Sequence, residues 1–410
     1  KATPTITFVD VTKTYGESDF DLSATSSSTG AFTYTISDAN VATVTGSTTT
    51  IVGAGTTTVT VSQAADTNYN TATATMTLTV SQADISNASI TAIPDQTYTG
   101  SAITISPTVT FNGSTVTETT DYTVSFANNT NAGTASLTIT GTGGNFTGSK
   151  TVSFTIVKAD PSITFNDITK TYGESDFNLA ATSSSTGAFT YTISDANVAT
   201  VTGSTTTIVG AGTTSVTVSQ AADDNYNSAT ATMTLTVSQA DITTATVASI
   251  SDQTYTGSAI TISPTVTFNG STVTETTDYT VSFANNTNAG TASLTITGTG
   301  NYSGSKTVSF TIVKEDPSIT FNDITKTYGD SDFDLTATSS STGAFTYTIG
   351  DANVATVTGS TTTLVGAGTT TVTVTQAADS NYESATATMT LTVSQADIST
   401  ATVASISDQT

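Results

Sequence analysis

The chain contains no Cys, no His and no Trp, and its eight basic residues are all Lys, so it has no Arg either. Without Cys or imidazole there is no thiol nucleophile, no histidine base, no disulfide framework, and no Cys/His zinc, haem or iron–sulfur site. Positive charge is scarce: 8 Lys face 32 Asp plus Glu, for a formal charge of -24. Such a surface repels nucleic-acid phosphates and anionic lipid heads, so no nucleic-acid partner is expected. Nor does this segment carry an apolar run of membrane-spanning length. Charged residues are only 10% of the total. Thr, Ser, Gly and Ala dominate instead, and this β-branched, weakly ionic composition is unlike that of a disordered tail.

What is present is a repeat. The string KATPTITFVDVTKTYGESDFDL at Lys1 returns as KADPSITFNDITKTYGESDFNL at Lys158 and as KEDPSITFNDITKTYGDSDFDL at Lys314. The periods are 158 - 1 = 157 and 314 - 158 = 156. Within each period two dissimilar units alternate. Units A1, A2 and A3 cover residues 1–82, 158–239 and 314–395; units B1 and B2 cover 83–157 and 240–313, and a third B starts at 396–410. The A-to-B joints are Ala83-Asp84, Ala240-Asp241 and Ala396-Asp397, and the B-to-A joints are Lys158-Ala159-Asp160 and Lys314-Glu315-Asp316. Joints this short, without Gly or a Ser run, are not flexible tethers, so neighbouring units are expected to be closely apposed. Both ends interrupt the pattern, and the sequence is expected to be a window on a longer protein.

Period-two alternation runs through both units. In A, Phe32, Tyr34 and Ile36 share one face, as do Val59 and Val61, and Met76, Leu78 and Val80, with Thr between them. In B, Ile103 and Ile105, Val109 and Phe111, Tyr122, Val124 and Phe126, Leu137 and Ile139, and Phe154 and Ile156 alternate likewise. Turn signals such as Gly53-Ala54-Gly55, Asn112-Gly113 and Asn128-Asn129 separate them. This pattern predicts an all-β protein: a tandem array of small antiparallel Ig-like β-sandwich modules forming an elongated rod.

Particular stretches carry a family resemblance. VATVTGSTTTIVGAGTTTVTVSQ, from Val41 to Gln63, resembles the late strands of bacterial Ig-like (Big) repeats, and TKTYGESDF resembles the YG-type signature. YTGSAITISPTVTFNGSTVTETTDYTVSFANNTNAGTASLTITGTGGNFTGS, from Tyr98 to Ser149, resembles the MBG-type repeat. The resemblance implies stalk modules of giant bacterial surface adhesins, with the gliding-motility adhesins of Bacteroidota as a candidate lineage.

The copies are nearly identical: 31–57 matches 188–214, and 95–143 matches 252–300, without a change. An enzyme assembles one constellation once, whereas a spacer is written many times, so no enzyme is expected. The densest acidic cluster is Glu17, Asp19 and Asp21, repeated as Glu174, Asp176 and Asn178 and as Asp330, Asp332 and Asp334. On a strand, spacing i, i+2, i+4 puts these carboxylates on one face, where they could take calcium; the plainer reading is a solvated edge that discourages strand pairing. Asp66-Thr67-Asn68-Tyr69-Asn70 and its copies at Asp223 and Asp379 read as an Asx-type turn. Lys13, Lys170 and Lys326 read as lysines that lay their stems over a ring, with an isopeptide crosslink as the rival. The aromatics read as core, Tyr69 and Tyr98 least so because they flank turns.

The function expected is mechanical: a stalk or filament segment of a secreted, cell-surface adhesin that holds a distal binding domain away from the cell. Its expected partners are neighbouring modules of the same chain, and surface polysaccharide or outer-membrane secretion and motility machinery. The alternative is a repeated low-affinity glycan- or protein-binding module acting by avidity.

Overall fold

The computed structural model describes residues 1–405, so the expected third B unit is described only as far as 405. The chain is built of strands, turns and three 3₁₀ turns, Ile85–Asn87, Ile242–Thr244 and Ile398–Thr400. Among the described residues no helix is long and apolar enough to cross a membrane.

A1 contains strands β1 (Ile6–Thr7), β2 (Val11–Thr14), β3 (Phe20–Asp21), β4 (Thr25–Ser26), β5 (Phe32–Ile36), β6 (Ala42–Thr45), β7 (Thr48–Ile51), β8 (Gly55–Gln63) and β9 (Ala72–Ser81). One sheet has the order β2-β9-β8-β5; facing it are β3-β7-β6 and the pair β1-β4. Alternation places Val59, Val61, Met76, Leu78 and Val80 inward, and they pack against Leu22, Val41 and Ala42. The outward row of the same strands is Thr: Thr35 pairs with Thr60, and Thr60 with Thr75. β-Branched side chains suit the pleat whether or not they are buried, so Thr serves the wet face as Val serves the dry one.

B1 repeats this plan with other residues. Its strands are β10 (Ala83–Asp84), β11 (Ser89–Ile90), β12 (Gln96–Thr97), β13 (Val109–Phe111), β14 (Ser114–Thr115), β15 (Tyr122–Ala127), β16 (Gly133–Gly141), β17 (Phe146–Thr147) and β18 (Ser149–Val157). The large sheet runs β12-β18-β16-β15 and the small one β11-β13-β14. Leu137, Ile139, Phe154 and Ile156 of the large sheet meet Val109, Ile85 and Tyr122 in the core. In both large sheets the short first strand, β2 or β12, lies parallel to the last strand, β9 or β18. Alternation cannot reveal this direction, because it is set by how the chain returns. A3 and B2 carry the same orders, A3 from Ile324–Thr327 to Ala385–Ser394 and B2 from Gln253–Thr254 to Ser305–Val313.

One alternating stretch is not a strand. Ile103 and Ile105 lie outside the ladders yet pack on the B1 core. The Asn129 side chain donates to the Ile103 carbonyl at 2.7 Å and the Ile103 N–H donates to the Asn129 carbonyl at 2.8 Å, taking groups a ladder would use.

The chain divides into two compact units. The first comprises Lys1–Asn166, Ala180–Thr192 and Thr217–Thr232; the second comprises Asp167–Leu179, Ile193–Val216 and Met233–Thr410. Two of the four joints fall wholly within each unit.

Candidate functional site: the joints between segments

The carboxylates singled out by their spacing do not converge. The chain turns at Tyr15-Gly16, where Gly16 takes φ +83°, so Glu17 leaves the strand face and only Phe20–Asp21 is strand. Glu17 instead accepts from the Thr14 N–H at 2.8 Å and pairs with the Lys13 ammonium at 3.1 Å. The Lys13 hydrogen bond, then the Thr14 amide, lower the Glu17 pKa. Glu174 repeats both contacts with Lys170 and Thr171, while Asp330 accepts the Thr327 N–H at 2.9 Å. Asp21 accepts from the hydroxyls of Ser47 and Thr48, and Asp334 from those of Ser360 and Thr361. Asn178 accepts from the Thr205 hydroxyl at 3.0 Å, which is why a neutral amide can replace Asp there. Asp19, Asp176 and Asp332 are exposed. Among the described residues no three acidic side chains gather to hold a metal ion. Lys13, Lys170 and Lys326 lie over Phe20, Phe177 and Phe333, at 5.0, 5.2 and 4.8 Å from the ring centres, so the ring each lysine covers is not the Tyr of the YG turn.

Four joints are built from a single set of contacts. In every segment the loop before the last long strand presents an Asn followed by an aromatic: Asn68-Tyr69, Asn145-Phe146, Asn225-Tyr226, Asn301-Tyr302 and Asn381-Tyr382. The segment before it supplies an Ala N–H just ahead of the Gly that opens its preceding long strand. Ala54 donates to Asn145 Oδ1 at 2.8 Å, Ala132 to Asn225 at 2.8 Å, Ala211 to Asn301 at 2.8 Å and Ala289 to Asn381 at 2.9 Å. The same preceding segment supplies a Tyr that follows its first sheet strand. Tyr15 meets Phe146, Tyr98 meets Tyr226, Tyr172 meets Tyr302 and Tyr255 meets Tyr382, all edge to face with centroids 5.3, 5.3, 5.4 and 5.4 Å apart. This is the favoured geometry for paired rings. Burial, and then the neighbouring Tyr172, push the Tyr302 phenol up to about 12.

The connecting chain is tied down at the same place. Ala83, Ala159, Ala240 and Glu315 donate their N–H to the carbonyls of Asn145, Asn225, Asn301 and Asn381 at 2.9–3.0 Å. The residue before each, Gln82, Lys158, Gln239 or Lys314, donates from its side chain to a carbonyl of the same loop, that of Gly144, Asp223, Gly300 or Asp379. The joint aspartates serve locally: Asp84 and Asp241 accept from Ser86 and Thr243 N–H, and Asp160 accepts from Asn227. Gly53 is required for close approach, since a Cβ there would sit 2.6 Å from the Asn40 carbonyl and 3.3 Å from Asn145 Oδ1.

In the A segments the Asn-aromatic loop is organised by one carboxylate. Asp223 Oδ1 accepts from the N–H groups of Asn225 and Tyr226, and Oδ2 from the Thr186 N–H and from the hydroxyls of Ser185 and Thr186. Asp66 and Asp379 are held in the same way. The Thr186 amide and then the Asn225 amide hold Asp223 well below the usual carboxylate range; for Asp66 and Asp379 the leading amides are Thr29 and Thr342. These bonds form the Asx-type turn read from the sequence, and they aim the plug.

No protein-family model matches this chain, and no curated protein does. Among solved structures it is similar to Sidekick-1 immunoglobulin domains 1–5, at 12% identity over 97% of this chain and 100% of that one, with a TM-score of 0.24. It is also similar to the N-terminal eight Ig domains of Down Syndrome Cell Adhesion Molecule (11%; 96% and 73%; 0.24) and to the human Desmocollin-1 ectodomain (9%; 91% and 94%; 0.19). The all-β, tandem-sandwich architecture rests on the sheets themselves.

Proposed function

We propose that this chain is a stalk segment of a secreted bacterial cell-surface adhesin, an elongated row of modules 1–82, 83–157, 158–239, 240–313, 314–395 and the start of another at 396–410. In this reading it sets a distal binding domain at a distance from the cell, and its neighbours are further modules of the same kind. Surface polysaccharide and outer-membrane secretion or gliding-motility machinery are the partners that reading allows. The observation that carries it is the joint: the same amide bond and ring pair recur at four places between otherwise dissimilar segments. A spacer needs each module's orientation set by its neighbour, and nothing more from its surface. Small-angle scattering of the whole chain is expected to give the pair-distance distribution of a rod, with one sandwich cross-section and a long tail; a compact globule overturns the proposal.

An avidity reading would draw on a recess of 340 Å³ at Asn128–Thr134, repeated as 350 Å³ at Asn285–Thr291. Its amides are already committed. Asn129 holds the Ile103 carbonyl, and Asn131 Oδ1 accepts from Asn225 across the joint. The recess belongs to the joint, which favours the stalk.

A further inference from the structure

The structure contains one joint surface of each kind with nothing on it. At the end of A3, Tyr328 is 48% exposed, whereas the matching Tyr15 and Tyr172 are half-buried under their plugs. No side chain among the described residues reaches the Ala367 N–H, the counterpart of Ala54 and Ala211. Tyr328, Gly366, Ala367 and Gln395 border a recess of 580 Å³ where the other A segments hold an Asn-aromatic pair. At the other end Asn68 is exposed, whereas Asn225 and Asn381 are half-buried in sockets.

We propose that the Tyr328–Ala367 socket takes the Asn68-Tyr69 loop of a second copy of this chain, so that copies associate head to tail. This goes beyond the stalk reading and stands or falls separately from it. Three observations support it. First, the bare plug is already in its docked shape: Asp66 Oδ1 accepts from Asn68 and Tyr69 N–H at 2.7 and 2.8 Å, as Asp223 and Asp379 do in occupied joints. Docking therefore orders little that is not already ordered. Second, sockets of A and B type hold their plugs with the same bond and ring geometry, 2.8–2.9 Å and 82–84°. The A-type socket therefore presents to an A-type loop the contacts it makes with a B-type one. Third, the strand that leads into the plug is in place, since Ala2 donates to the Asn68 carbonyl at 3.0 Å and Lys1 to that of Asp66 at 2.6 Å. The tail beyond Gln395 has to yield to it. That tail leaves without breaking a core, because Ile398 and Val403 are 84% and 88% exposed.

The surfaces joined are different, so the contact does not close on itself and growth is open-ended. An area this small gives weak binding, with a dissociation constant between about 10 µM and 1 mM. Sedimentation velocity on the whole chain is expected to show an average mass that rises past the dimer as concentration approaches about 1 mM. Tyr328→Ala and Asn68→Ala, each at an exposed site, should weaken association about fivefold or more while leaving the circular dichroism unchanged. An equimolar mixture of the two variants retains one good plug and one good socket and should stop at dimers. A wild-type chain that stays monomeric throughout overturns the proposal. So do variants that associate as the wild type does, and a mixture that grows beyond dimers.

Discussion

Tyr98 and Tyr226 meet edge to face, centroids 5.3 Å apart and planes at 83°. Tyr15 and Phe146 meet at the same distance and 84°. The first pair closes a B-to-A joint and the second an A-to-B joint, between segments whose sequences do not resemble each other. Each ring pair is accompanied by an Asn side chain capping an Ala N–H, so the joint is a unit of recognition independent of the segment that bears it.

Removing the Asn225 carboxamide as Asn225→Ala strands the Ala132 N–H and frees the loop. The expected cost is about 1 kcal/mol in the unfolding of the joined segments. Residual dipolar couplings should then require separate alignment tensors for 83–157 and for the loop around Tyr226. The same change at Asn68, which has no socket in front of it, should leave thermal stability unaltered. Equal losses at both sites would mean that the side chain acts within its own loop.

Asp66, Asp223 and Asp379 have folded-state pKa values below their unfolded value of about 3.9. A depressed carboxylate contributes stability that is fully present above the unfolded pKa and is lost as pH falls toward the folded one. The A-segment loops, and with them the B-to-A joints, should therefore hold from neutral pH to about 4 and loosen below it. Amide exchange at Asn225 and Tyr226 against pH is the measurement. Asp223→Asn should loosen the loop already at pH 7, because an NH₂ would face the Thr186 donors.

Thr49, Thr206 and Thr362 are fully buried, and their hydroxyls find no partner. Replacing Thr49 by the isosteric Val removes a desolvated hydroxyl from a site lined by Val44 and Phe20 strand partners. The expected gain is about 1 kcal/mol per site, read as a higher urea midpoint with unchanged slope. A loss would reveal a hydrogen bond formed in solution.

Deleting residues 82–157 places Lys158 where Gln82 stands and joins A1 directly to A2. Tyr226 should then stack on Tyr15, and Asn225 should cap Ala54. Ring-to-ring nuclear Overhauser effects between Tyr15 and Tyr226 test this; their absence would show that A sockets accept B loops only.

Strand periodicity was legible because burial alternates with the pleat: Val59, Val61, Met76, Leu78 and Val80 read as one inner face and form it. The acidic triplet misled because the spacing argument assumed a strand, whereas Gly16 turns the chain before Glu17. The joints were invisible for a different reason. Their donor is a main-chain N–H, which no residue letter records, and Ala54 and Asn145 lie 91 positions apart. One signal was available in retrospect: an Asn followed by Tyr or Phe recurs in the same loop of both dissimilar units. Tyr69 and Tyr98, the aromatics that fitted the core least well, are one plug and one socket.

Because plug and socket are the same in both kinds of segment, the repeats need not be gained or lost in pairs. Recombination between the near-identical stretches 95–143 and 252–300 removes one whole period. An event that excised a single segment would likewise leave an Asn-aromatic loop facing a Tyr and an Ala N–H. Length in such a protein can drift in single steps over generations, with every product already jointed.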